Sequence, residues 1–148
     1  MIVSLGPIGD VVIGSMRDDE RGLVTRSYVE GIVDALGHGQ RSGSRHRRHY
    51  LDSLGREAER LLADRDTQVL VGRDDGTGSL AYGYVIYRAP VLFWVYVKNA
   101  FRRSGLAREL LALAHEDGCR SYAYHSRRDA VLERAGLAYL QPEGRRAG

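Results

Sequence analysis

The chain has 148 residues, enough for one compact domain with a real core and too few for two comfortable ones. Hydrophobic residues make up 43% and charged residues 28%, as in an ordinary globular protein, and the net charge of +3 is only mildly basic. A single cysteine, Cys119, excludes an intramolecular disulfide framework and a cysteine-based zinc cage, and no apolar run is long enough to span a bilayer.

The excess charge comes mainly from arginine, at RSGSRHRR (residues 41–48) and at Arg145-Arg146. Such a balance suits an acidic ligand such as a nucleotide, and equally nucleic acid. The N-terminal MIVSLGPIGDVVIG is apolar, lacks a basic leader and is interrupted by Gly6, Pro7 and Asp10. It reads as a first strand region and not as a signal peptide, so a cytoplasmic location is expected.

Residues 11–16 are a short β-branched run ending in Asp18-Asp19-Glu20, acids suited to a helix N-terminus. Leu23, Val24, Tyr28, Ile32, Val33 and Leu36 then recur at helical spacing until Gly37. The glycine-rich stretch 37–44 reads as a loop, and Leu51, Leu54, Ala58, Leu61 and Leu62 form the apolar stripe of a second helix. After Asp64 the pattern becomes extended: a strand at 68–71, a hairpin-type turn at 74–78, and a strand at 80–87 ended by Ala89-Pro90.

The most informative stretch is 91–114, VLFWVYVKNAFRRSGLARELLALA. An aromatic, β-branched strand runs to about Val97, and an amphipathic helix is predicted from Ser104 to about Glu116. Between them, Arg102-Arg103-Ser104-Gly105-Leu106-Ala107 is a basic turn whose glycine allows close backbone approach. A strand–turn–helix junction of this kind aims free backbone N–H groups and the positive end of a helix at one place, which suits phosphate or pyrophosphate. Beyond it, 121–125 reads as a strand, 129–135 as a short helix and 137–140 as a final strand, with Tyr122 and Tyr124 on one face of theirs. The order is strand, two helices, three strands, helix, strand, helix, strand. It predicts an α+β domain spanning residues 1–148, a mixed and mostly antiparallel sheet of about six strands with helices on both faces.

This order, with Arg102-x-x-Gly105-x-Ala107 at the junction of the central strand and helix, resembles the GCN5-related N-acetyltransferase (GNAT) family, whose signature is [Gln/Arg]-x-x-Gly-x-[Gly/Ala]. The wording of residues 96–98 and 101–107 also resembles small GNAT-like proteins carried by bacteriophages and prophages. The family resemblance implies a GNAT fold, acetyl-coenzyme A as cofactor, and transfer of its acetyl group to a primary amine that attacks the thioester directly. It implies that the N–H groups of Arg103, Ser104, Gly105, Leu106, Ala107 and Arg108 hold the pyrophosphate, with charge-assisted help from Arg102 and Arg103. It further implies that pantetheine runs along Val95, Tyr96 and Val97 like an added strand, and that a backbone N–H near Val95 or Val97 stabilises the oxyanion.

The family's usual acid is a tyrosine in the helix after the fifth strand, and the matching position here is Leu132. Leucine donates no proton, so Tyr122, Tyr124 and His125 are the local acid candidates, with water or loss of turnover as alternatives. Glu30, His46 and His49 are the nearest candidates for a base. A GNAT-fold binding or regulatory protein, and a nucleic-acid-acting protein on the same fold, are the competing functions.

Plainer readings compete for individual residues. Phe93 and Val95 are expected in the core, with Trp94 and Tyr96 evenly balanced between core and site. Cys119 reads as a small buried residue, the spacings of His115 with Cys119 and of His46 with His49 as coincidence rather than metal ligation, and Gly76-x-Gly78-x-x-Ala81 as a hairpin rather than a dinucleotide fingerprint.

Overall fold

The computed structural model describes residues 1–35, 44–75, 80–124 and 126–140, and for residues 44–47 and 50 it describes the backbone only. The expected loop at 37–44 and the tip of the hairpin at 76–79 therefore lie largely outside the described residues.

The elements in chain order are β1 (Ile2–Ser4), β2 (Asp10–Ser15), α1 (Arg21–Ala35), α2 (Ser44–Ala63), β3 (Gln68–Asp74), β4 (Ala81–Arg88), β5 (Val91–Val97), α3 (Leu106–Glu116), β6 (Ser121–Tyr122), α4 (Asp129–Arg134) and β7 (Ala138–Tyr139). The strands form one seven-stranded sheet in sequential order. The first five pair antiparallel, while β5 with β6 and β6 with β7 pair parallel. The fold is thus the expected α+β arrangement with a mixed, mostly antiparallel sheet. It has one more strand than the sequence pattern gave, because Leu5 to Gly9 folds the N-terminal run back on itself, with the Leu5 N–H donating to the Gly9 carbonyl at 2.9 Å.

The sheet separates two apolar layers. On one side Leu106, Leu110, Leu111 and Ala114 of α3 and Leu132 of α4 pack against Val85, Tyr87, Leu92, Val95 and Val97. On the other, Val24, Tyr28, Val29 and Ile32 of α1 and Ala58 and Leu62 of α2 pack against Val69, Val71, Tyr84, Ile86 and Trp94. Period-two alternation along β4 and β5 sends successive side chains to opposite layers.

That alternation slips once in β5. Ile86 faces Trp94 but Tyr87 faces Leu92, so Phe93 is an extra residue with no partner in β4. The bulge reverses part of the expected core assignment: Trp94 is buried with Val95, while Phe93 is half-buried under the Arg88 guanidinium, 5.4 Å from its ring centroid.

β6 also departs from expectation, ending at Tyr122 instead of continuing to residue 125. Its register with β5 stops at Leu92 and Tyr122, and the last backbone contact is the Ala123 N–H donating to the Leu92 carbonyl at 3.0 Å. Beyond the bulge the two strands part.

Candidate functional site

The turn after β5 is held by its own side chains. Arg102 donates from Nε to the Val97 carbonyl at 2.9 Å. Ser104 donates from Oγ to the Phe101 carbonyl at 2.7 Å and accepts from the Leu106 N–H at 3.3 Å. That local turn leaves Ser104 outside the helix and Gly105 as its N-cap, so α3 starts at Leu106 and not at Ser104. Arg103 at φ 64° and Gly105 at φ 94° both take the left-handed region, which curls the backbone so that successive N–H groups face outward together. Among the described residues, the N–H groups of Arg103, Ser104, Gly105, Ala107 and Arg108 donate to no protein acceptor. Five free donors and the positive end of an eleven-residue helix converge at an exposed spot flanked by the exposed Arg102 and Arg103.

The register of β5 brings a second set of backbone groups to the same side. The Lys98 N–H donates to the Tyr82 carbonyl at 2.8 Å, so in an antiparallel ladder residues 96 and 94 also turn their backbone groups toward β4. Val95 and Val97 must then turn theirs the other way, as the Val97 carbonyl does toward Arg102. The parting of β6 leaves this edge facing a gap. Leu92, Trp94, Val95, Tyr122, Tyr124 and Leu132 are among the residues lining it.

The acid candidates separate. Tyr122 and Tyr124 do not share a face: Tyr122 is buried in the α3 layer, whereas Tyr124 packs against the α1/α2 layer, with its ring 6.5 Å from that of Trp94. The reason is the early end of β6, since the bend at residues 123–124 breaks the alternation that would have aligned them. Tyr122 donates from its hydroxyl to Glu133 Oε1 at 3.3 Å, and burial, followed by Asp129 and Glu133, pushes its phenol up to about 12. Tyr124 lies beside Tyr28, whose own phenol is pushed up by burial and then by Tyr124. His125 lies outside the described residues.

Leu132, at the position where the family resemblance places a tyrosine, is buried and lines the gap with an apolar side chain. Of the base candidates, Glu30 and His49 are exposed and do not line the gap, and the side chain of His46 lies outside the described residues. Cys119 is fully buried, and burial and then Asp117 push its thiol up to about 11, which suits a packing residue and not a nucleophile.

Three features of the site carry no signal in the sequence pattern. Trp94 seats its indole against Gly31 of α1, so close that a Cβ there would lie 2.9 Å from Cε2. Its Nε1–H is buried and has no partner among the described residues. Arg128, one arginine of a polar loop, turns into the gap and is half-buried. A buried pair between Arg73 and Glu20 supports the start of α1: Nε and Nη2 donate to Oε2 and Oε1 at 2.8 and 2.6 Å. Tertiary packing brings these groups into place.

No protein-family model matches the sequence, and no curated protein matches it. Solved structures do match. An inferred acetyl transferase from Pyrococcus furiosus aligns over 89% of this chain and 95% of its own at TM-score 0.63 and 14% identity. A ribosomal-protein-alanine N-acetyltransferase from Brucella melitensis biovar Abortus aligns over 90% and 96% at TM-score 0.55 and 21% identity. The PaiA N-acetyltransferase of Thermoplasma acidophilum, in complex with coenzyme A, aligns over 83% and 84% at TM-score 0.53 and 16% identity. With the seven-stranded sheet, the bulged central strand and the turn before α3, these likenesses show that the chain has the fold of the GCN5-related N-acetyltransferases.

Proposed function

We propose that the protein is an acyl-coenzyme A-dependent N-acetyltransferase that uses acetyl-coenzyme A and acetylates a primary amine. The observation that carries this reading is the set of five unpartnered N–H groups at the N-terminus of α3, placed beside a strand edge that β6 has left open. The residues present fit the cofactor. Nothing lies closer to a Cβ built on Gly105 than Leu5 Cδ2 at 3.7 Å, so the turn is open above its glycine, and two exposed arginines flank it. Bound there, acetyl-coenzyme A would supply an activated acetyl thioester.

In this reading the N–H groups of Arg103, Ser104, Gly105, Ala107 and Arg108 hold the pyrophosphate. The Leu106 N–H is already engaged by Ser104 and serves to fix the turn. Val95 and Val97 offer backbone groups to an extended ligand laid along β5, and the Val95 N–H lies where charge developing on a carbonyl oxygen would be stabilised. Tyr124 is the acid candidate that, among the described residues, has no carboxylate partner in the gap, since Tyr122 is tied to Glu133. A second reading, a cofactor-binding protein with little turnover, draws on Leu132, which puts an apolar side chain at the acid position.

Adding acetyl-coenzyme A to the pure protein should raise its melting temperature, because a ligand that binds only the folded state stabilises it. Gly105→Glu should abolish the rise, since it places a negative side chain on a left-handed residue at the phosphate site. Gly105→Asn, which tolerates that backbone region better, should keep part of it. An unchanged melting temperature at saturating cofactor would overturn the assignment. A rise without thiol release from any amine would favour the second reading.

A further inference from the structure

Arg128 is half-buried, and among the described residues it has no ion-pair partner. Its backbone N–H donates to Ser126 Oγ at 3.1 Å, which fixes the loop leading into α4, and its side chain lines the gap beside Trp94 and Tyr124. Among the described residues the ion pairs are Arg21 with Glu59, Arg73 with Glu20 and Arg88 with Asp64, and none of their hydrogen bonds ends on the Arg128 guanidinium. Its electrostatic surroundings are burial and Arg102, which both disfavour its charge, and the phenols of Tyr84 and Tyr96, which favour it. A guanidinium stays charged at any ordinary pH, so this group sits in the gap with a positive charge that no ion pair among the described residues neutralises.

The surroundings say on which side of the sheet the charge lies. Tyr84 and Tyr96 stack with ring centroids 5.5 Å apart, and the Tyr84 hydroxyl meets Ser27 Oγ of α1 at 2.7 Å. Arg128 therefore faces the α1 side of the gap, across the sheet from the α3 layer. Its planar fork matches a carboxylate with two parallel hydrogen bonds. Among the described residues lining the gap Arg128 is the one cation, with Arg102 near enough to be felt, and a carboxylate matches its single fork in a partly apolar site.

We propose that Arg128 receives a carboxylate carried by one of the reactants. Its position on the α1 side favours the acceptor as the source, so that the amine acetylated is one that also bears a free carboxylate, as amino acids do. An acyl group ending in a carboxylate is the other source of the same chemistry. The inference rests on the acyl-coenzyme A reading above, and its test separates the two.

Calorimetric titration with N-acetylated amino acids, each as the free carboxylate and as the carboxamide, reads the site as a product complex, with and without coenzyme A. At least one carboxylate should bind tenfold or more tightly than its amide. Arg128→Gln should remove that preference, and Arg128→Lys, which keeps the charge but not the fork, should restore part of it. In a second arm, succinyl-coenzyme A stabilising the wild type more than acetyl-coenzyme A, but not Arg128→Gln, would place the carboxylate on the donor. Equal binding of carboxylate and amide with equal stabilisation by both thioesters overturns the proposal, as does a preference that survives in Arg128→Gln. The melting shift with coenzyme A is recorded separately, so failure of the cofactor reading shows as a missing shift, while titration of the free protein still decides the carboxylate question.

Discussion

The two faces of the sheet handle buried polarity in opposite ways. On the α3 face, large side chains carry their polar ends outward: the Tyr87 hydroxyl donates to Asp117 and the Tyr122 hydroxyl to Glu133, both exposed residues at the rim. On the α1/α2 face the polar groups stay inside. Arg73 and Glu20 pair in the interior, Ser27 meets Tyr84, and the Trp94 indole N–H is buried without a partner among the described residues. The first arrangement makes a scaffold held by burial and dispersion, which anchors the turn before α3. The second makes a wall whose charges and donors are already desolvated, and interactions with a ligand are strongest where water has been removed.

The largest expected effect lies in the interior pair. Arg73→Met leaves Glu20 buried without its bidentate partner and should cost about 3–5 kcal/mol in urea denaturation at pH 7. Burial alone would raise the Glu20 pKa, but hydrogen bonds and charge from Arg73 and Arg17 outweigh it and hold the carboxyl below its ordinary 4.5. A lowered folded-state pKa gives stability that is present above the unfolded value and is lost as pH falls through the folded one. Wild-type stability should therefore drop below pH 4.5 more steeply than that of Glu20→Gln. Parallel curves for the two proteins would show that the pair contributes no pH-dependent stability.

A smaller effect is expected where α1 meets the gap. Replacing glycine by alanine inside a helix ordinarily stabilises by about 1 kcal/mol. At Gly31 the new Cβ meets the Trp94 ring, so Gly31→Ala should instead lose about 1–3 kcal/mol. Trp94 is the chain's one tryptophan, so its emission spectrum reports the displacement directly. A stabilised variant with unchanged emission would show that this wall has slack. The smallest effect belongs to the outward-facing side: Tyr87→Phe removes one hydrogen bond to an exposed carboxylate and should cost about 1 kcal/mol in the same denaturation experiment. A loss as large as that of Arg73→Met would erase the contrast between the faces.

Much of this architecture was legible in the chain. Helical spacing marks α1, α2 and α3, alternation and β-branched residues mark β3, β4 and β5, and the Arg102–Ala107 wording marks the turn. What was not legible depends on pairing. The bulge at Phe93 exists because β4 and β5 slip by one residue, and a periodic apolar run does not say where a slip falls. The consequences follow from that slip and from the early end of β6: Trp94 rather than Phe93 enters the core, and Tyr122 and Tyr124 separate to opposite faces.

The sequence by itself determined most of the order of elements and the run of free N–H groups at the turn, because both rest on local physics. Helix and strand periodicity, a glycine that takes positive φ and the free N–H groups at a helix start need only neighbouring residues. Tertiary structure alone decided the gap and what faces it. Arg128 is 34 residues from Trp94 and 101 from Ser27 in the sequence, and nothing local distinguishes it from the arginine before it. It becomes a half-buried charge without an ion-pair partner among the described residues because the parting of β5 and β6 turns it toward the gap, and burial is a property of surroundings that no short stretch of chain contains.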